Sequence, residues 1–170
     1  MRGTKQQLLS AVAIATLLGM TATAQAATAE VTWQDVENYR DIRAAQELQE
    51  RFQNNVTSGL TAHFQELAAA LPADHVLRIT VTDLDLAGRV EPIFTDSFIP
   101  VRVMNRIDYP MITLSFEYLD ASGTVLKSGA ETVKDMGLLE TRKAMMASGR
   151  DDLYHEKRLL DKWFQANFSS

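Results

Sequence analysis

The sequence predicts an α+β fold: a two-layer sandwich in which a small, mostly antiparallel sheet is covered by a long N-terminal helix and a C-terminal helix. Three stretches carry that reading. Leu48, Phe52, Val56, Leu60, Phe64, Leu67 and Leu71 recur at threes and fours, the spacing of one helix face. "MITLSFEYL" alternates apolar and polar residues and returns through "DASG", the pattern of a β-hairpin. "DDLYHEKRLLDKWFQANF" sets Leu153, Leu160, Trp163 and Phe164 on one face of a terminal helix.

The elements follow in order. "EVTW", Glu30 to Trp33, reads as a short first strand, and Tyr39 and Ile42 anchor the polar stretch after it. The long helix runs from about Gln46 to Leu71 and stops at Pro72, because proline lacks the amide proton and disfavours helix at the residue before it. Gly59 weakens this helix locally, and His63 flanks its apolar stripe with no partner evident nearby. Val76 to Leu86 is a strand, "AGRVEPIFTDSFIP" a loop, and Val101 to Asp108 either a short strand or an ordered loop. Pro110 precedes the hairpin, whose returning strand is "TVLKSGAETVKDM". "GLLETRKAMMASGR" is ambiguous, with room for a short helix ending near Gly149. Asp151 or Asp152 suits the N-cap of the terminal helix.

Residues 1–26 have the order of a cleaved secretory signal peptide. Arg2 and Lys5 precede an apolar run from Leu8 to Met20, and Ala24-Gln25-Ala26 supplies the small-x-small site, with cleavage expected after Ala26. The run falls short of the about 20 apolar residues of a spanning helix, and no transmembrane segment is expected in residues 27–170, which read as a single domain. The chain has no cysteine, which excludes disulfides and a lipid on an N-terminal cysteine. Export without disulfides points to a Gram-negative periplasm. The formal charge is −5, and loss of Arg2 and Lys5 makes it two units more negative. An acidic domain without a dense basic stripe argues against nucleic acid and against anionic lipid as partners.

Four separated matches in order, "VTWQDVENYRDIRAA", "RITVTDLDLAG", "RIDYP" and "YHEKRLLDKWF", resemble a family of secreted proteobacterial proteins catalogued as a domain of unknown function, DUF3016. The resemblance spans about Val31 to Phe164. It implies a periplasmic or cell-envelope protein, and it carries no catalytic residues across.

The chemistry is best sought where a pattern breaks. In "RITVTDLDLAG" the apolar residues sit first at Leu77, Ile79 and Val81 and then at Leu84 and Leu86, which puts Asp83 and Asp85 in the formerly apolar register. Alternate residues of a strand share a face, so the two carboxylates are a candidate metal or acid/base pair, with Asp108, His75 or His155 to complete a coordination sphere. Calcium needs six to eight oxygens, and neither an EF-hand loop nor a metal-binding histidine spacing occurs, so no metal is assigned. A β-bulge near Thr82-Asp83 explains more: it returns Leu84 and Leu86 to the core and turns both acids outward, where they can meet Arg102, Arg106 or backbone amides. Arg102, Arg106 and Asp108 are read as a set that pins a loop to the sheet, with an anion- or partner-binding loop as the functional alternative.

The sequence contains no G-x-S-x-G elbow, S-x-x-K, P-loop or G-x-G-x-x-G, and no cofactor is assigned. Met136, Met145 and Met146 read as core filling or a soft contact surface, and Trp33 and Trp163 as core anchors. The expectation is a periplasmic, non-enzymatic binding or accessory protein with an envelope protein as partner. The alternatives are a small metal-dependent or acid/base enzyme centred on Asp83 and Asp85, and a small-molecule or lipid carrier with its pocket between sheet and helices.

Overall fold

A parallel pair of strands needs a crossover, and the long amphipathic stretch supplies one here. The computed structural model describes residues 26–92, 99–104, 107–136 and 151–168. Along the chain come β1 (Thr28–Trp33), a 3-10 turn (Val36–Asn38), α1 (Gln49–Ala68), β2 (Val76–Asp85), β3 (Arg89–Pro92), β4 (Pro100–Val103), β5 (Met111–Leu119), β6 (Val125–Lys134) and α2 (Tyr154–Phe168). The expected signal segment, residues 1–26, lies outside the described residues but for Ala26. So do "GLLETRKAMMASGR", with Met145 and Met146, and Arg106.

The main sheet has the order β1-β2-β5-β6. β2 pairs with β5 and β5 with β6 in antiparallel fashion, while β1 lies parallel to β2, so the sheet is mixed and the class is α+β. β3 and β4 form a separate antiparallel pair, Arg89↔Val103 to Pro92↔Pro100. This corrects the reading of "AGRVEPIFTDSFIP" as a loop. The apolar residues of that stretch are irregularly spaced and show no period of two, yet Arg89–Pro92 within it is a strand and β4 starts at its last residue.

The bulge is present. Along β2 the register passes from Val81↔Leu114 to Asp83↔Thr113, which leaves Thr82 without a register partner on β5. Leu77, Ile79 and Val81 are buried before the shift and Leu84 and Leu86 after it. One extra residue therefore keeps the apolar set on one face across a parity change. The other face is polar. Arg78 there bonds Glu30 of β1 at 2.9 Å and Glu117 of β5 at 3.2 Å, one acid on each flanking strand.

Val56, Leu60, Phe64 and Ala68 of α1 join Leu77, Ile79, Ile112, Leu114 and Phe116 of the sheet and Leu159, Leu160, Trp163 and Phe164 of α2 in one core. Trp163 is 2% exposed and stands edge-on to Phe64, Phe116 and Phe168, as a core anchor should. Trp33 is half-buried, and its indole N–H donates to Thr61 at 2.9 Å. Gly59 has a packing reason: a Cβ there would stand 2.6 Å from Leu153 Cδ1 at the start of α2. Asp151, one of the two expected N-caps, lies three residues before α2 and closes the turn that leads into it: its Oδ1 accepts the Leu153 amide at 3.0 Å while its carbonyl accepts that of Tyr154. His63 does have partners, contrary to expectation. Asp161 of α2 lies 2.8 Å from Nε2 and Glu66 3.2 Å from Nδ1, the first reached across 98 residues of sequence. Met136 is exposed, so it does not fill the core.

Candidate functional site

The bulge shapes the end of the sheet where polar groups gather. β1 leaves β2 after Trp33↔Val81, and beyond the 3-10 turn the chain rejoins the continuation of β2 in the same direction. The Val81 carbonyl accepts from the Gln34 amide at 3.0 Å and from the Tyr39 hydroxyl at 2.7 Å. Burial pushes the Tyr39 phenol up to about 12, so it stays a donor. Past the bulge, Asp41 bridges Asp85 in parallel: its amide donates to Leu84 and its carbonyl accepts from Leu86, each at 3.1 Å. Residues 39–43 thus act as a short substitute for β1.

This placement decides the partners of the two aspartates. Asp83 Oδ1 accepts the Arg40 amide at 2.9 Å, and the Arg40 guanidinium lies 3.5 Å from Asp83 and 4.0 Å from Asp85. Both acids face outward as the bulge requires, but they meet Arg40 and not Arg102. The sequence could not show this, because Arg40 arrives from a segment more than forty residues upstream. Asp85 is the more crowded. Burial, and then Asp41, raise its carboxyl above the usual range against the pull of Arg40.

Arg102 of β4 is tied elsewhere. Its guanidinium holds Asp41 with two bonds, at 2.8 and 3.3 Å, and donates to the carbonyls of Arg43 at 2.9 Å, Gly88 at 3.1 Å and Ala87 at 3.4 Å. A planar five-donor fork suits this joint, which fastens β4 to the residue 41–43 segment and to the 87–88 turn. Arg102 therefore joins β4 to Asp41, and Arg106 of the same expected set lies outside the described residues. Asp108 lies 3.8 Å from Arg89 and accepts the Gly88 amide through its carbonyl at 2.8 Å. Gly88 has φ +76°, and a Cβ there would stand 2.5 Å from the Val103 carbonyl, so only glycine fits.

Two cavities flank the Arg102–Asp41 joint. The first, of about 730 Å³, is an open cleft lined by Arg40, Asp41, Arg43, Asp85, Arg89 and Asp108, with Ile107, Tyr109 and Met111 among the other walls. It brings Asp85 and Asp108 together with the Asp41 side of the joint. The second, of about 890 Å³, lies on the Arg102 side, between the N-terminal halves of α1 and α2. Its lining includes His155 and Glu156, which are 3% and 4% exposed. Sequence reasoning missed this pair as a unit, naming His155 only as a candidate partner of Asp83 and Asp85 and not singling out Glu156. The available signal was that Glu156 lies three and four residues before Leu159 and Leu160, within reach of the buried face.

Glu156 Oε1 accepts the Ala87 amide at 2.7 Å, while Oε2 and His155 Nδ1 are buried without a hydrogen-bond partner. Burial raises the Glu156 carboxyl above its usual range and holds the His155 imidazole below its own. His75 lies on another side, with Tyr118 Oη 2.7 Å from its Nδ1. Among the described residues no group of three or more His, Cys, Asp or Glu side chains is arranged to hold a metal ion, and no helix is long and apolar enough to cross a membrane.

Fold and site define an α+β protein with a charged cleft at the bulged end of a mixed sheet. The chain belongs to the family described as protein of unknown function DUF3016, whose model matches residues 27–166. No curated protein and no solved structure matches it.

Proposed function

We propose that the protein is an exported, periplasmic, non-enzymatic binding or accessory protein of the cell envelope, and that an envelope protein partner seats in the charged cleft. The observation that carries this reading is the make-up of that cleft. Arg40, Arg43 and Arg89 line it together with Glu37, Asp41, Asp85 and Asp108, beside Tyr109, Met111 and the exposed Ile107. Arginine, tyrosine and methionine are the side chains enriched where proteins meet, and mixed charge selects a partner by complementarity. Export is supported by the Arg2/Lys5, Leu8–Met20 and Ala24-Gln25-Ala26 order. The two-layer layout is supported by the common core of α1, α2, β2 and β5 beneath a polar outer face.

The test is a photo-crosslinking residue placed at Ile107 in the cleft or at Ser128 on the outer sheet face, in intact cells. We expect one protein to be captured from Ile107 and not from Ser128, with capture lost in Arg40→Glu. Equal capture from both positions would overturn the cleft assignment. An osmotic-shock fraction should contain the chain with Ala27 as its first residue, and full-length chain in the inner membrane would overturn export.

A further inference from the structure

The main sheet has two outer strands, and they are finished differently. β1 is six residues long, and Gln65 of α1 donates to its Ala29 carbonyl at 2.8 Å. β6 is ten residues long, contains no proline, and among the described residues pairs with β5 alone. Val125 and Leu126 at its start are 47% and 53% exposed, and Met136 just past its end is 63% exposed. A long outer strand with exposed apolar side chains presents a row of backbone donors and acceptors to another strand. Its charges are ordered as well. The register with β5 skips Leu126, between Leu119↔Val125 and Tyr118↔Lys127, and runs regularly from Lys127 to Lys134. In that run Lys127, Gly129, Glu131 and Val133 share the face toward α2: a Cβ on Gly129 would meet Phe116, and Asn167 of α2 bonds both Lys127 and Glu131.

We infer that β6 is a dimer interface, occupied by the β6 strand of a second copy of this chain in antiparallel pairing about Gly129, with Lys127 of each copy opposite Glu131 of the other. Directly opposite residues of an antiparallel pair exchange both backbone bonds or neither, so only residues of the same parity can face one another. A two-fold axis through the run therefore falls on a residue. Centred on Ala130, Lys127 would face Val133. Centred on Glu131, two carboxylates would meet. Centred on Gly129, Lys127 and Glu131 form two pairs of opposite charge, one on each side of the axis, which stabilises cross-strand neighbours. Both residues have capacity left for this. Two of the three Lys127 donors go to Asn167, at 2.8 and 2.7 Å, and Glu131 gives Asn167 only Oε1, at 3.3 Å. The same patch is used by both copies, so the assembly closes as a dimer and joins two main sheets into one. This interface does not rest on the charged cleft.

Sedimentation velocity of the folded protein tests the inference. The wild type should show a monomer–dimer equilibrium, with dimer growing as the concentration rises from micromolar to sub-millimolar. Lys127→Glu and Glu131→Lys should each weaken the dimer about tenfold or more, because like charges then face each other twice. Mixed in equal amounts, the two variants should regain it as a heterodimer in which each pair is again of opposite sign. Loss of the Asn167 bonds alone would not be repaired by mixing. If either variant does not fold, the register has a second readout in this cysteine-free chain. Ser128→Cys mixed with Ala130→Cys should give a disulfide between copies under mild oxidation, since these positions face each other when Gly129 lies on the axis. A monomer at every concentration, a filament that grows without closing, or a dimer indifferent to both charge reversals would each overturn the interface. Arg40→Glu should leave the dimer intact while capture at Ile107 is lost, and a self-crosslink at Ser128 would join two copies of this chain rather than the cleft's partner.

Discussion

Asp83 and Asp85 at the end of β2 and His155 and Glu156 at the start of α2 are two pairs of ionisable residues with opposite fates. The first pair stands at a visible fault in a sequence pattern, and the fold turns it outward to a single arginine, Arg40. The second pair sits inside an ordinary helix pattern, and the fold buries it with two polar atoms unmatched. A break in alternation marks a place where the backbone adjusts to spare a charge. A charge buried with no such adjustment is held by the surrounding packing, so it has more potential for function and less visibility in sequence.

The largest test concerns the packing that holds the buried pair in place. Trp163 lies two turns along α2 from Glu156 and touches Phe64, Phe116 and Phe168 edge-on. Trp163→Ala should cost about 3–5 kcal/mol in urea unfolding. A loss below about 1 kcal/mol would mean that α2 is not anchored as described.

Second is the pH response of the buried pair. Burial raises the Glu156 carboxyl, so its contribution to stability is fully present below the unfolded value of about 4.3 and is lost as pH rises through the folded value. Glu156→Gln removes that titration. Relative to this variant, the wild type should therefore become less stable as pH is raised from 4 toward neutrality. Asp151, five residues earlier and just before α2, should slope the other way. Burial pushes its carboxyl up, but the bonds from Lys157 and the Leu153 amide prevail and bring it below the ordinary range. Its contribution is present above the unfolded value of about 3.9 and fades as pH falls through the folded one. Parallel slopes for Glu156→Gln and Asp151→Asn in unfolding curves from pH 3 to 7 would erase the contrast between them.

The smallest effects belong to the outward pair, and they should differ in sign. Asp83→Asn weakens a charge-assisted bond to the Arg40 amide and an exposed ion pair, a loss of about 1 kcal/mol. Asp85→Asn should be neutral or slightly stabilising at pH 7, since Asp85 is crowded by Asp41 and reached by Arg40 only at 4.0 Å. Chemical denaturation of the two single variants decides it. A larger loss from Asp85→Asn than from Asp83→Asn would reverse their assigned roles. So would a saturable, Asp85-dependent rise in melting temperature with calcium, magnesium, manganese or zinc, which would bring the metal-dependent alternative forward.

Local pattern determined much of this molecule. The spacing from Leu48 to Leu71 required a helix, the alternation of Ile112, Leu114 and Phe116 required a half-buried strand, and the parity switch after Val81 required a bulge. These follow because apolar burial has a period set by the backbone, and one residue of slip reverses every side chain in a strand. The short pair β3 and β4 escaped because each strand is four residues long, too few to establish a period. Tertiary structure alone decided which arginine meets which aspartate, since Arg40 reaches Asp83 across 43 residues and Arg102 reaches Asp41 across 61. It alone made β1 parallel, joined His63 to Asp161, and closed α2 over Glu156. Pairwise electrostatics and burial depend on distances between segments far apart in the chain, and no local periodicity encodes those distances.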